Sequence, residues 1–310
     1  MWLRWICITL FLLQIIPVQA QFSVQQKDGK LTILEKNQPV LVYNFETVHN
    51  ENAPERMARS SYIHPLYSVD GTIITDDFPR DHYHHRGVYW TWNRVFWKDR
   101  QLDPWAVRGL KTEFESWLSR ETSNEQAKFG VRNGWITDDG IRIVDELVYV
   151  TVHPAQEKTR AIDFHIELWA TDEDVTLKGE ITKGYGGFSV RLAPKEKEVI
   201  CSPEGVHTDD ELKTSFPWCD YAFVPKGKEE FTGVAVFVSP THPGYPPDWL
   251  LRHYGYFGVC YPGMESVTLK KGTGPLIMDY RIWTHPGTYE DVDIQQAYDE
   301  YVQSVKRQGK

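Results

Sequence analysis

Ile141-Arg142-Ile143-Val144-Asp145-Glu146-Leu147-Val148-Tyr149-Val150 and, shortly after it, Ile162-Asp163-Phe164-His165-Ile166-Glu167-Leu168 alternate apolar and polar side chains. A strand turns successive side chains to opposite faces, so this period of two marks strands with one face buried. In the second stretch it gathers Asp163, His165 and Glu167 on one face, which reads first as a solvated sheet surface. Similar runs spread outward in both directions. Leu31-Thr32-Ile33-Leu34 and Val40-Leu41-Val42-Tyr43 around Asn37-Gln38-Pro39 predict an N-terminal hairpin, and Val234-Ala235-Val236-Phe237-Val238 adds a strand. Residues 98–126 are polar and irregular, and predict an excursion over one sheet face with a short helix near 111–119. The period changes only near the C-terminus, where Ile294, Ala297, Tyr298, Tyr301, Val302 and Val305 recur every three or four residues. They predict a helix over 291–307, opened by a Thr288–Asp291 capping box. The fold expected is all-β: one domain over 21–310, a large antiparallel β-sandwich with a C-terminal helix closing it.

Residues 1–20 stand outside that pattern. Arg4 precedes an apolar run from Ile6 to Ile16, and Val18-Gln19-Ala20 ends in a small residue, the arrangement of a secretory signal peptide cleaved before Gln21. The expected mature protein is periplasmic or secreted, without stable membrane insertion, because the run is too short to span a bilayer comfortably. The 310 residues carry a net charge of −9, with no basic stripe to bind nucleic acid. Twelve tryptophans and an aromatic content of 14% fit a wide β core and also the stacking of sugar rings. Beyond the signal only Cys201, Cys219 and Cys260 remain, an odd set that allows one Cys201–Cys219 bridge or three buried thiols.

Chemistry concentrates in Asp76-Asp77-Phe78-Pro79-Arg80-Asp81-His82-Tyr83-His84-His85-Arg86-Gly87, directly before the aromatic run Val88-Tyr89-Trp90-Thr91-Trp92. Titratable groups this dense beside a core strand must pair, ligate or react. In an extended segment His82 and His84 share a face; they are the metal candidates should a third ligand come from elsewhere, and no other cofactor is expected. Neutral imidazoles serve equally as acid and base around a substrate. Arg86 can fork onto a ligand carboxylate or pair with Asp77 or Asp81. Three further stretches add candidates. Gly184-Tyr185-Gly186-Gly187 precedes a strand carrying Arg191 and lacks the Lys-Ser/Thr of a phosphate loop. Ser215-Phe216-Pro217-Trp218-Cys219-Asp220 offers an indole and a carboxylate. The proline-stiffened loop from Ser239 to Gly255 carries His242, Trp249 and Arg252.

These blocks, with His64-Pro65-Leu66-Tyr67 and Tyr254-Gly255, stand in an order that resembles the DUF6807 family, often labelled methane oxygenase, over most of residues 60–287. The His84-His85-Arg86-Gly87 block is its most specific part, and His242 departs from the resemblance, standing where the family more usually has asparagine. The methane oxygenase label implies several membrane-spanning helices, and no apolar run of that length follows residue 20. The resemblance extends to the supersandwich of galactose mutarotase, which implies paired histidines and a carboxylate acting on a sugar ring. The expected function is therefore a carbohydrate-active protein, epimerase- or lyase-like, whose partner is a small sugar or glycan. His84, His85 and Asp220 are the expected catalytic groups, with His64, Arg86, Arg191, Trp218, Trp249 and Arg252 binding substrate. A metal-dependent enzyme built on His82–His85, or a non-catalytic glycan-binding protein, are the alternatives.

Overall fold

In the computed structural model, which describes residues 21–308, two nine-stranded antiparallel sheets pack face to face. The expected signal peptide, residues 1–20, lies outside the described residues. The first sheet runs in the order Phe22–Lys27, Lys30–Glu35, Gln38–Asn44, Tyr62–Leu66, Val88–Thr91, Gly187–Arg191, Tyr256–Cys260, Asp248–Arg252 and Glu211–Ser215. The second runs Gly205–His207, Lys195–Ser202, Trp218–Pro225, Thr232–Val238, Leu276–Pro286, Arg160–Ala170, Arg142–Val152, Ala127–Thr137 and Leu110–Thr122. A small four-stranded sheet, Ser266–Leu269, Val175–Lys178, Arg94–Trp97 and Arg100–Leu102, sits beside them.

The alternation at 141–168 does what it predicts. Val144, Val148, Val150, Ile162, Phe164, Ile166 and Leu168 are buried in the core, while Asp145, Leu147, Tyr149, Asp163, His165 and Glu167 turn to the outer face. There His165 lies between Asp279, 2.6 Å from Nδ1, and Glu167, 3.1 Å from Nε2, and Asp163 accepts from Arg281. These outer polar groups satisfy one another. The N-terminal hairpin turns at Lys36 and Asn37, both at positive φ (49° and 66°), so Pro39 falls inside the second strand rather than in the turn.

Two expectations are corrected. Residues 111–119 are not helical; they belong to the edge strand Leu110–Thr122. Bulges between Phe114 and Ser116 and between Trp117 and Ser119 shift its register. They place the core-packed Phe114 and Trp117 three apart, which imitates helical spacing. The C-terminal helix is Ile294–Gln308, and its N-cap is Asp293, whose carboxylate accepts from the Gln296 N–H at 2.9 Å. Thr288 and Asp291 form a separate hydrogen-bonded turn before it. Ile294, Tyr298 and Tyr301 pack onto Trp218, Ala235 and Phe237, on the outer face of the second sheet. The three cysteines are buried free thiols.

One polar group joins the sheets through the core. Glu146, 1% exposed, accepts the indole N–H of Trp90 from the first sheet at 2.8 Å. It also accepts the indole N–H of Trp135 at 3.0 Å and the Asn133 amide at 2.8 Å from its own sheet. Burial pushes its pKa up while the three donors pull the other way. Removing the acceptors strands three buried donors, and each orphan costs about 1–3 kcal/mol. Glu146→Leu is therefore expected to lose several kcal/mol more than Glu146→Gln, which keeps an acceptor for the two indoles. Urea unfolding of both variants measures the difference, and equal losses would count against this arrangement.

His242, in the proline-stiffened loop, is 4% exposed. Its Nδ1 accepts the Gly244 N–H at 3.1 Å, so its proton sits on Nε2, which donates to the Tyr280 hydroxyl at 2.9 Å. Burial pulls its pKa from 6.5 down to about 4. The unfolded chain therefore takes up the proton first. The stabilisation is complete above about pH 6.5 and drains away as pH falls towards 4, by on the order of 3 kcal/mol. His242→Asn, whose amide oxygen can accept from Gly244, should lose correspondingly less stability between pH 7 and pH 4.5 in denaturant titrations. Identical losses in both proteins would refute the assignment.

Candidate functional site

The strand Val88–Thr91 fixes the geometry of the histidine block. Val88 and Trp90 point into the core, so Tyr89 points to the outer face of the first sheet, and the chain just before it arrives on that face. Gly87 is needed there, since a Cβ would lie 2.2 Å from the Ile63 carbonyl oxygen. The segment before it is folded rather than extended. The His82 N–H donates to Pro79 O and the His85 N–H to His82 O, both at 2.9 Å. The expectation that His82 and His84 share a face is thereby corrected. His82 instead stacks parallel on His85, with centroids 4.6 Å apart at 4°, while His84 stands at 83° to His85.

Around these rings lies a pocket of about 450 Å³. Besides the three histidines its walls include Arg252, Lys183 and Asp210, with Trp105, Tyr185, Tyr254 and Tyr256 as flat surfaces. His82 is held between His85 and Tyr254, whose ring lies 5.1 Å away at 13°. Of the three imidazoles His82 has a carboxylate neighbour, with Nδ1 3.0 Å from Asp81. The His84 pKa falls to about 3, first through burial and then through the charges of His82, Arg59, Arg86 and Arg56. Burial and the neighbouring imidazoles hold His85 well below its ordinary value too. Both are neutral acceptors at neutral pH.

Arg252 reaches the pocket from the outer face of Asp248–Arg252 and pairs with Asp210 at 3.2 Å. Arg191 lies just behind the wall, its guanidinium 5.0 Å from the centre of the Tyr254 ring and its Nη2 donating to Asp81. His82, His84, His85, Arg191 and Arg252 are thus brought together. Tyr254 was legible within the family blocks and Tyr185 within the glycine run. Trp105 and Lys183 lie in stretches with no recognisable signal, and Asp210 likewise.

The remaining candidates stand elsewhere. Arg86 is fully buried, donating to the carbonyls of Met57, Tyr83 and His85, packed 3.5 Å from the Phe78 ring centre and 3.5 Å from Asp77. It holds the histidine turn from below and presents nothing to a ligand. His64 lies beside Gly87 with Nδ1 3.0 Å from the Thr75 hydroxyl, outside the pocket wall. Trp249 is in the core, stacked on Phe216 and donating to its carbonyl. Trp218 and Asp220 alternate with the core residues Cys219 and Tyr221, and so face out from the second sheet, across the whole sandwich from the histidines. Asp220 lies 2.9 Å from His285 Nε2, whose Nδ1 faces the Pro286 carbonyl at 3.0 Å. Burial opposes a charge on His285, but Asp220 raises its pKa overall, and the two acceptors call for two ring protons. The expected union of His84, His85 and Asp220 is not formed. For a metal, His82 and His84 present rings 5.6 Å apart and perpendicular. Among the described residues no group of three or more His, Cys, Asp or Glu side chains is placed to hold an ion. Among them too, no helix is long and apolar enough to cross a membrane.

The chain belongs to the DUF6807 family, a family of unknown function whose model matches residues 30–299. No curated protein matches the sequence. Among solved structures, a galactose mutarotase related enzyme from Lactobacillus acidophilus is similar over 86% of this chain and 97% of its own, at 8% identity and a TM-score of 0.39. An aldose epimerase homologue from C. elegans is similar over 86% and 99%, at 13% identity and a TM-score of 0.30. A human-microbiome protein provisionally assigned as a kojibiose phosphorylase is similar over 71% of this chain, which spans 25% of that protein, at 8% identity and a TM-score of 0.33. What the pocket can do is read from its own side chains.

The burial difference between Arg86 and His84 separates support from chemistry. Removing one partner of a buried ion pair costs about 3–5 kcal/mol, so Arg86→Gln should lower the melting temperature by many degrees. His84→Gln, at the pocket wall, should leave it within a degree or two. Calorimetric melts of the two variants check this; an unchanged Arg86→Gln melt would return Arg86 to the ligand side.

Proposed function

We propose that this DUF6807 member binds a sugar in the histidine pocket and acts on it by acid–base chemistry. The observation that carries the reading is the combination in one concave site of an imidazole held neutral by burial, phenols, and flat aromatic walls. Sugar rings present apolar faces that stack on such walls and hydroxyls that need acceptors and donors at fixed places. His84 would receive a hydroxyl proton as a neutral acceptor. It would pass that proton to a second sugar oxygen; its basicity in the empty pocket lies below the near-neutral range that favours proton transfer. The phenols of Tyr185 and Tyr254, the latter pushed up to about 12 by burial, would stay protonated and serve as donors. Export remains part of the proposal, since residues 1–20 have signal-peptide character.

A second reading, glycan binding without turnover, draws support from the position of Asp220. The carboxylate expected to complete the acid–base pair is on the opposite face, and Asp210, the pocket's own, is engaged by Arg252. A sugar library screened by saturation-transfer NMR, followed by exchange spectroscopy on each binder, distinguishes the two. The expected result is binding of at least one sugar, with turnover that His84→Gln lowers at least 100-fold while binding persists. Binding without turnover in the unaltered protein selects the second reading. No binding by any sugar overturns both.

A further inference from the structure

Arg191 holds more hydrogen-bonding capacity than its surroundings use. Its side chain is buried, and the residue is 6% exposed. Among the described residues the carboxylate that hydrogen-bonds it is Asp81, whose two oxygens lie 2.9 and 3.0 Å from the same nitrogen, Nη2, while Asp76 feels its charge without a hydrogen bond. Nε and Nη1 are buried with no hydrogen-bond partner among the described residues. A carboxylate matches a guanidinium best when its two oxygens span two nitrogens, so Asp81 leaves the fork half filled. Buried unpaired donors on a cation are costly, and a fold tolerates them where something else completes the set. Asp81 itself is a loose tenant, its side chain 45% exposed on the turn that carries His82.

The fork is set against the pocket. The guanidinium packs under the ring of Tyr254, a wall residue 42% exposed, and Asp81 is tied to His82, the wall residue next to it. The charges lining the pocket are Lys183 and Arg252 against Asp210 alone. Arg56, Arg59 and Arg86 add a positive field at His84 from behind. A negative group entering here meets these cations, opposed by Asp210 on the wall and by Asp81 beside His82.

Building on the sugar reading above, we infer that the substrate is an acidic sugar, a uronate or its glycoside, whose carboxylate takes the place of Asp81 on the Arg191 fork. Asp81 is then a placeholder that keeps the buried guanidinium paired while the pocket is empty and leaves with the tip of its turn when the ligand arrives. The ligand's charge would also offset the part of the His84 shift that comes from Arg59, Arg86 and Arg56, while the larger part, from burial, stays. A sugar phosphate shares the negative charge but not the planar match, so it serves as a separate arm of the test.

Isothermal titration of the protein from Gln21 onward with D-galacturonate, D-glucuronate, D-galactose, D-glucose and D-galactose 6-phosphate tests this. Two variants accompany it. Asp81→Asn keeps one acceptor for Arg191 but removes the competing charge at a half-exposed position; Arg191→Lys keeps the charge and removes the fork, with its melt recorded alongside. The inference expects a uronate to bind at least tenfold more tightly than its neutral parent and than the phosphate. Asp81→Asn should tighten uronate binding about tenfold without moving the neutral sugars, and Arg191→Lys should abolish the preference. Neutral sugars bound as tightly as uronates, a stronger preference for the phosphate, or uronate binding weakened by Asp81→Asn would overturn it while leaving the sugar reading intact. Absence of binding by all five overturns the inference; the wider library screen then decides the fate of the sugar reading separately.

Discussion

The hydrogen bond from the Trp90 indole to Glu146 ties the two halves of the molecule together and fixes which way the key strand faces. A strand that slips by one residue exchanges its buried and exposed faces. Trp90 cannot slip, because its N–H has its acceptor in the core and its ring packs parallel to Phe188. Once Trp90 faces in, Tyr89 must face out, and the histidine turn that precedes the strand emerges on the outer face of the first sheet. The same parity on the neighbouring strands sends Arg191, Arg252 and Tyr256 to that face, between inward Val190, Leu251 and Phe257. The pocket is therefore a product of register: side chains far apart in sequence converge because each stands one residue from a core position.

That convergence is held from beneath by two cations, Arg86 fully buried and Arg59 partly buried. Arg86 collects three carbonyls and Asp77, and Arg59 donates to the carbonyls of Pro104 and Trp105, fixing the loop that carries the Trp105 wall. Burial lowers the Arg59 pKa to about 10, still far above working pH, so its charge persists. Burial first, and then these charges, disfavour protonation of His84, and burial with the neighbouring imidazoles, Arg191 and Arg86 does the same for His85. The positive charges and the low basicity of His84 and His85 belong to one arrangement, and the proposed acidic sugar is the ligand that would use both.

The fold was legible wherever side chains obeyed a simple period. The strands around Glu146, the N-terminal hairpin and the terminal helix all followed from alternation or three-four spacing. Leu110–Thr122 hid because two bulges broke its alternation at Phe114 and Trp117, and the true helix cap, Asp293, lay just past a turn that resembles a cap. The histidine cluster announced itself by composition, but its internal geometry did not, since a turn and not a strand sets the ring stacking. Asp220 and Trp218 were read as site residues for their carboxylate and indole, and they alternate with core positions as Arg191 and Arg252 do. Sequence alone gives that parity without saying which sheet a strand joins, and theirs joins the other one.

Histidine side-chain nitrogen NMR during titration with the tightest-binding sugar addresses the central claim, that the histidine pocket and not the Asp220 face receives the ligand. The account predicts neutral His84 and His85 rings in the free protein at pH 7, with large shifts for both on saturation. It also predicts a doubly protonated His285 that does not respond. Ligand-induced shifts at His285 with His84 and His85 unmoved would contradict it.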